Sequence, residues 1–387
     1  MFIYTRRKAL VLVFAVLVLL LLRRFITSRD TLTAPPSIEN TFASAEKYYG
    51  FQRGISAFQP DNLTKHLVVP CTSSEDVSWI DTLPGWLTMT PKIYHIPTGT
   101  SVPRPPGALT VPINKGNEAM AYLTYLIDHY SALPDLVVFA HASLNQWHNN
   151  ELQFYTTSLM LREFNYRRAQ RLGYANLRCQ WKPGCPAWIQ PHTSTYNNDK
   201  GEEFYFARAF EKLFPGVPVP EVVAANCCAQ FVVTREKILA NTREEYEKWR
   251  EWLIHTDIVD RYSGRIMEYL WHYIFSPRED RATKVCPSEH VCYCDGYGIC
   301  FGGEAQLEKH LALGKETADM EKTLKDATEN PSLLGDDVWF RNAALKQLKD
   351  QIEAKKVELG RQIDAARLRG RDRRVRIDEL GEAEFTQ

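Results

Sequence analysis

The chain has 387 residues, 44% of them apolar and 12% aromatic, a composition that builds a packed core and excludes a disordered protein. Lys plus Arg and Asp plus Glu balance at 47 each, so no net field points to nucleic acid or to an acidic substrate.

The first element is apolar. Arg6, Arg7 and Lys8 precede an uncharged run at residues 9–22, and Arg23 and Arg24 follow it. The run is shorter than the roughly 20 residues that span a bilayer, but flanking arginines snorkel and the membranes of the early secretory pathway are thin. The small residues of a signal-peptide cleavage site do not follow the run. The expectation is a single-pass type II membrane protein of the Golgi or endoplasmic reticulum. Residues 1–8 form its cytosolic tail, 9–26 a transmembrane signal anchor, 27–65 a stem and 66–303 a lumenal domain. Asn62-Leu63-Thr64 is a glycosylation sequon in that stem.

Within the body, Leu67-Val68-Val69 reads as a strand, and Ser73 or Ser74 as the cap of a short helix carrying Val77, Trp79 and Ile80. KIYHI at 92–96 is a second strand, and prolines 103, 105, 106 and 112 mark a loop. Met120, Leu123, Ile127 and Tyr130 recur at helical spacing until Pro134-Asp135 breaks the pattern, and LVVFAH follows as a strand. Strand, helix, strand predicts an α/β layer. Further helices are expected over 152–171, over 202–213, after the capping box at Thr242 to Glu245, and over 265–275, with a strand at 229–233. The fold class is α/β: one Rossmann-like mixed sheet flanked by helices.

Nine cysteines fit an oxidising lumen. Cys286, Cys292, Cys294 and Cys300 lack the paired knuckles of common zinc sites and read as a local disulfide knot, and Cys179 and Cys185 as the pins of a turn. The adjacent Cys227 and Cys228 are not expected to bond each other, and the odd total leaves at least one thiol over. From Glu304 onward charges dominate. Leu345, Ile352, Leu359 and Ala366 recur every seven residues, but the partner rows are mostly polar. Residues 304–387 are expected to form one long helix with a disordered end, the basic run from Arg367 to Arg376 being a solvated tail.

In open α/β sheets, ligands bind beyond the carboxyl ends of the strands. Three polar clusters are placed there: Ser73, Glu75 and Asp76; Asn114, Lys115, Gly116 and Glu118; and His141, Ser143, Trp147 and His148. Glu268 and His272 lie four residues apart on one helix and share a face.

Four stretches resemble a fungal family catalogued as a domain of unknown function, number thirty-four thirty-one: LVVPCTSSEDVSWIDTLP, NKGNEAMAYLTYLIDHYSALPDLVVFAHASLNQWHNN, CCAQFVVTREKIL and EYLWHYIF. More distantly, the layout Asn114-x-Gly116-x-Glu118, helix, strand, His141 is similar to bacterial rhamnan-synthesis glycosyltransferases. AQFVVTREKIL is similar to the acceptor-side segment of type A enzymes. This resemblance implies a nucleotide-sugar donor and a carbohydrate or glycoprotein acceptor. Under it, Ser73, Glu75 and Asp76 lie near the nucleotide, and Asn114, Lys115, Gly116 and Glu118 near the diphosphate or sugar. Trp147 and His272 complete the substrate contacts, His141 and His148 face the reacting centre, and Glu268 takes the acceptor proton. The Asp-x-Asp that holds Mn²⁺ in most such enzymes is missing: that position reads Phe139-Ala140-His141. Either transfer is independent of metal, with Lys115 the candidate for neutralising phosphate, or histidine and Glu118 take over the metal's ligation, or the site is inactive. Two other readings stand beside this one, a non-catalytic lumenal carbohydrate-binding protein and a metal-dependent hydrolase using His141, His148 and Glu268.

Overall fold

The computed structural model describes residues 57–58, 60–97, 108–334 and 337–381. Its first strand, β1 (Lys65–Cys71), begins within the expected stem. Lys65 is buried and donates to Asp61 Oδ1 at 2.5 Å and to the carbonyls of Leu63 and Leu87, so the last residues of that segment belong to the folded body. The run at 9–26 lies outside the described residues, among which no helix is long and apolar enough to cross a membrane.

After β1 come β2 (Met89–His95), β3 (Leu109–Thr110), α1 (Glu118–Asp128) and β4 (Leu136–Phe139). The second expected helix is two, α2 (Thr157–Glu163) and α3 (Tyr166–Leu172). The break is at Asn165, whose amide donates to Gly296 O at 2.8 Å and whose side chain donates to Asp295 O at 2.9 Å. Then follow β5 (Tyr174–Asn176), α4 (Gly201–Leu213), β6 (Ala224–Ala225), β7 (Phe231–Thr234), α5 (Arg235–Leu239) and α6 (Arg243–His255). Thr242 and Glu245 close the predicted capping box on α6. The expected helix over 265–275 starts earlier and is interrupted, giving α7 (Asp260–Glu268) and α8 (Trp271–Ile274), before β8 (Lys284–Val285) and α9 (Glu289–Tyr297).

The main sheet runs β3-β2-β1-β4-β7-β5. β1 to β4 are parallel, and β7 is antiparallel to both its neighbours. The alternation of side chains sorts each strand between two cores. Val68, Val137, Phe139, Phe231 and Val233 face α1, α4, α6, α7 and α8. Leu67, Val69, Leu136, Val138 and Val232 face α2, α3 and α9. α1 is buried from Ala119 to Ile127 because the sheet covers one side and α6 the other. The chain lays β2 and β3 on one side of β1, then returns to place β4 on the other. The connections diverge between β1 and β4, and a crevice forms at their carboxyl ends.

The disulfides cross-link distant segments. Cys179 pairs with Cys292 and Cys185 with Cys286, so the 179–185 loop is pinned to α9 and to the segment between β8 and α9 rather than to itself, and within the expected knot the local pair is Cys294–Cys300. Cys227 and Cys228 do bond each other, contrary to the sequence expectation. Both are buried, and Cys228, at a φ of +87°, is held by the carboxylate of Glu268 at the end of α7. The cysteine left over is Cys71, buried at the end of β1.

The C-terminal region also departs from expectation. It holds α10 (Glu304–Glu329), α11 (Val338–Gly370) and α12 (Arg373–Leu380). α10 and α11 form a hairpin in which the heptad residues Ile352 and Leu359 are buried, with Lys355–Glu316 and Lys356–Glu321 ion pairs across it. The end of α11 returns to the body, where Ile363 and Ala366 enter the second core and Arg367 pairs with buried Glu163 at 2.8 Å. The folded unit therefore extends past Gly303. Arg367→Ala, which leaves the Glu163 carboxylate buried without its partner, is expected to lower unfolding free energy by about 3 kcal/mol, measured by urea denaturation; a loss no larger than an exposed Arg→Ala control would remove the clasp from the stability of the body.

Candidate functional site

β4 is buried on both faces and ends at Phe139, so the polar residues that follow emerge at the crevice. They form a loop held by its own asparagines. Asn149 Nδ2 donates to Tyr155 O at 2.8 Å and Thr157 Oγ1 at 2.9 Å. Asn150 donates to Leu177 O and accepts from the Cys179 amide. Both are fully buried, so these residues serve the scaffold and are not available for ligand contact. Gln230, just before β7, accepts from the His141 amide at 3.2 Å and donates to Asn149 Oδ1 at 2.9 Å, tying the two ends of the loop together.

The loop brings His141 and His148 together. Their Nδ1 atoms lie 3.1 Å apart, and Gln146 Oε1 is 3.3 Å from the first and 3.1 Å from the second. Burial lowers the pKa of His141, and burial with the neighbouring His141, Arg178 and Arg265 pushes His148 down to about 3. Both rings are neutral at pH 7, and His141 Nε2 is buried with no protein partner. At this separation the two Nδ1 atoms share a hydrogen bond, one neutral ring donating and the other accepting.

On the β1 side lies an open cleft of about 530 Å³, lined among others by Ser74, Glu75, Asp76, Ser143 and Ser158. Glu75 closes the turn after β1, accepting from the Thr72 amide and hydroxyl at 2.8 Å, and acts electrostatically on His141. Asp76, rather than Ser73 or Ser74, bonds the first amide of the short helix at Ser78, and that hydrogen bond lowers its pKa. Ser73 is exposed beside this cleft.

On the other side the start of α1 meets α7. Gly116 has a φ of +71°, and a Cβ there would collide with Leu253, so the turn that presents Glu118 requires glycine. Burial and the Glu268 charge raise Glu118 to about 8. Burial raises Glu268 to about 7, against the opposing pull of the Cys228 amide, which donates to Glu268 Oε1 at 2.5 Å, and of Arg265 and Arg178. The buried Tyr122 hydroxyl lies in the field of both carboxyls and has no protein partner. Arg265 is itself bonded to buried Glu202 at 3.2 Å. The edge thus carries two carboxyls that titrate near neutrality, two neutral imidazoles and two guanidinium groups, a set suited to proton transfer beside an anion.

Three expected contributors lie elsewhere. Lys115 donates to the carbonyls of Ile254 and Thr256 and so caps the C-terminal end of α6; its ammonium is not directed at the crevice. His272 does not share a face with Glu268, because the helix is interrupted between them; it is buried and bonded to Thr283 O at 3.1 Å. Asn114 sits on the exposed loop before Gly116. Trp147 is 43% exposed, edge-on to His148 and covered on one side by Arg178, and Asn62 is exposed, as a glycosylated residue must be. Sequence reading missed Gln146, Arg178, Glu202, Gln230 and Arg265. Gln146 lies in the polar cluster after β4 and Gln230 in the AQFVVTREKIL stretch; Arg178, Glu202 and Arg265 come from segments that carry no motif. Among the described residues, Cys227, Cys228 and Glu268, and likewise Cys294, Cys300 and Glu379, bring potential metal ligands together. In each group the sulfurs are bonded to one another and offer no thiolate.

The chain belongs to the family described as Protein of unknown function (DUF3431), whose model matches residues 67–295, more than half of the chain. Comparison with curated proteins and with solved structures gives no match.

The carboxyl pair makes a signed prediction. A carboxyl held above its ordinary value of 4.5 keeps a proton in the folded state that the unfolded chain has released, so stability is fully present below about pH 4.5 and falls as pH rises through 7 to 8. Glu118→Gln is expected to match the parent near pH 4.5 and to exceed its stability at pH 8, read from urea midpoints at both pH values. A parent curve that is flat over this range would refute the buried-carboxyl assignment.

Proposed function

We propose that this member of the family is a glycosyltransferase-like protein of the fungal secretory pathway, moving a sugar from a nucleotide-sugar donor to a glycan or glycoprotein acceptor. One observation carries the reading: a half-buried acid/base group, Glu118, Glu268, His141 and His148, stands at the edge where the connections of β1 and β4 diverge. That is where a Rossmann-like sheet of the type A kind binds its ligand. The uncharged apolar run at residues 9–22 and four disulfide bonds support a membrane-anchored, lumenal placement.

In this mechanism the nucleotide enters the cleft beside Glu75 and Asp76, and the sugar reaches toward His141. Glu268 takes the proton of the acceptor hydroxyl as that oxygen attacks the anomeric carbon and the bond to the diphosphate breaks. A carboxyl near 7 has the basicity this step requires. Arg265 replaces Lys115 as the cation nearest the leaving diphosphate, and Arg178, whose terminal nitrogens are held by backbone carbonyls, adds only its field. Mn²⁺ has no step here: the chain lacks Asp-x-Asp, and paired neutral imidazoles do not suit a cation that prefers oxygen ligands. The half-exposed Trp147 ring beside this edge favours a second reading, a carbohydrate-binding protein that catalyses nothing.

Thermal shift of the full chain against UDP, GDP and their sugars, with and without Mn²⁺, separates the two. A ligand at a hundred times its Kd adds about 2.7 kcal/mol. The shift is expected with a nucleotide, independent of Mn²⁺, and lost in His141→Ala. Glu268→Gln should keep the shift while transfer falls by roughly 10²- to 10⁴-fold. A folded chain that responds to no nucleotide would reject the donor site in favour of the binding-protein reading.

A further inference from the structure

A second cavity, of about 350 Å³, lies outside the edge strand β5, between α3, α8 and the segment from β8 to α9. It shares no lining residue with the cleft beside Glu75. Three of the side chains that line it are more than nine-tenths buried and hold a polar atom with no protein partner: Asn176 Nδ2, Arg178 Nε and His272 Nδ1. Other buried polar atoms of the described residues also have no protein partner, but here three of them meet around one cavity, where a ligand can satisfy them together.

Their chemistry is specific. His272 Nε2 faces the Thr283 carbonyl at 3.1 Å, which can only accept; Nε2 therefore carries the ring proton and Nδ1 is an acceptor. Arg178 Nε and Asn176 Nδ2 are donors. The charge is positive. Arg168 is neutralised by buried Asp295 at 3.0 Å, but the terminal nitrogens of Arg178 bond to the carbonyls of Trp147, Asn149 and Lys182, and half-buried Lys237 adds a further cation. Glu151 and Glu289 act on Arg178 from nearby but do not line the cavity. The rest of the wall is apolar, with Tyr174 and Phe275 stacked at 6.0 Å.

We infer that this cavity binds a small organic acid with an apolar body and a hydroxyl group. The carboxylate meets Arg178 and Asn176 with Lys237 alongside, the hydroxyl donates to His272 Nδ1, and the body lies against Tyr174, Phe275 and Val291. A volume at the low end of the small-molecule range fits a ligand of one ring. The Arg178 guanidinium that receives the acid also donates to Trp147 O at 2.6 Å, which joins the cavity to the loop that carries His148.

The test is calorimetric titration of the full chain with 3-hydroxybenzoate, 3-hydroxybenzyl alcohol, benzoate and inorganic phosphate. The hydroxy acid is expected to bind about tenfold more tightly than the neutral alcohol and several-fold more tightly than benzoate, with no competition from phosphate. Leu172→Trp, placed at a partly exposed lining position, should block binding, and Lys237→Met should weaken it about tenfold, both with unfolding temperatures unchanged. The assignment is overturned if the folded chain takes up no acid at roughly ten millimolar, if the alcohol binds equally well, or if phosphate displaces the acid. Binding that survives Leu172→Trp would place the acid elsewhere on the protein, and equal affinity for benzoate would remove His272 from the site.

Discussion

The pairing of β4 between β1 and β7 is the constraint on which the rest of the structure depends. Leu136 to Phe139 are buried on both faces and hydrogen-bonded along both edges, parallel on one side and antiparallel on the other. A strand so enclosed has no freedom of register, because a slip by one residue would exchange the side chains of two cores. Its carboxyl end is therefore fixed in space. The loop that follows is held in turn by Asn149, Asn150 and Gln230, each fully buried. The opposed imidazoles of His141 and His148 are the outcome of that hierarchy: strand, staple, then reactive side chain.

Burial also sets the electrostatics. At Glu118, Glu268 and His148 loss of water is the largest influence on protonation, and neighbouring charges modify it. The result is a site whose acids hold protons near neutrality and whose bases are uncharged. Two guanidinium groups, Arg178 and Arg265, act on both His148 and Glu268 and link the two halves of the edge. Arg178 stands between this edge and the second cavity, so one side chain touches the surroundings of both.

The covalent links and the C-terminal helices hold the outer layer. Cys179–Cys292 and Cys185–Cys286 tie the segment after β5 to α9, across more than a hundred residues of chain. The end of α11 closes over that face through Ile363, Ala366 and the Arg367–Glu163 pair. What reads as a charged tail is in this way a wall of the second core.

Short-range physics is legible in the sequence. The continuous apolar runs of β1 and β4, the helical spacing from Met120 to Ile127, the capping box at Thr242 and the membership of the family all follow from neighbouring residues and their order. So does the presence of polar groups at the strand ends, because an apolar strand that stops abruptly must deliver its successors to an edge. The sequence does not say which of those groups face a ligand. Lys115 looks like a ligand contact in one dimension, yet it caps a helix, and Asn149 staples a loop, because nearby carbonyls need donors. Arg178 and Arg265 carry no motif and reach the site only when the sheet assembles. Disulfide partners and the docking of residues 363–370 likewise depend on which surfaces meet across the fold. Local pattern determines elements; contacts between residues far apart in the chain decide what those elements hold.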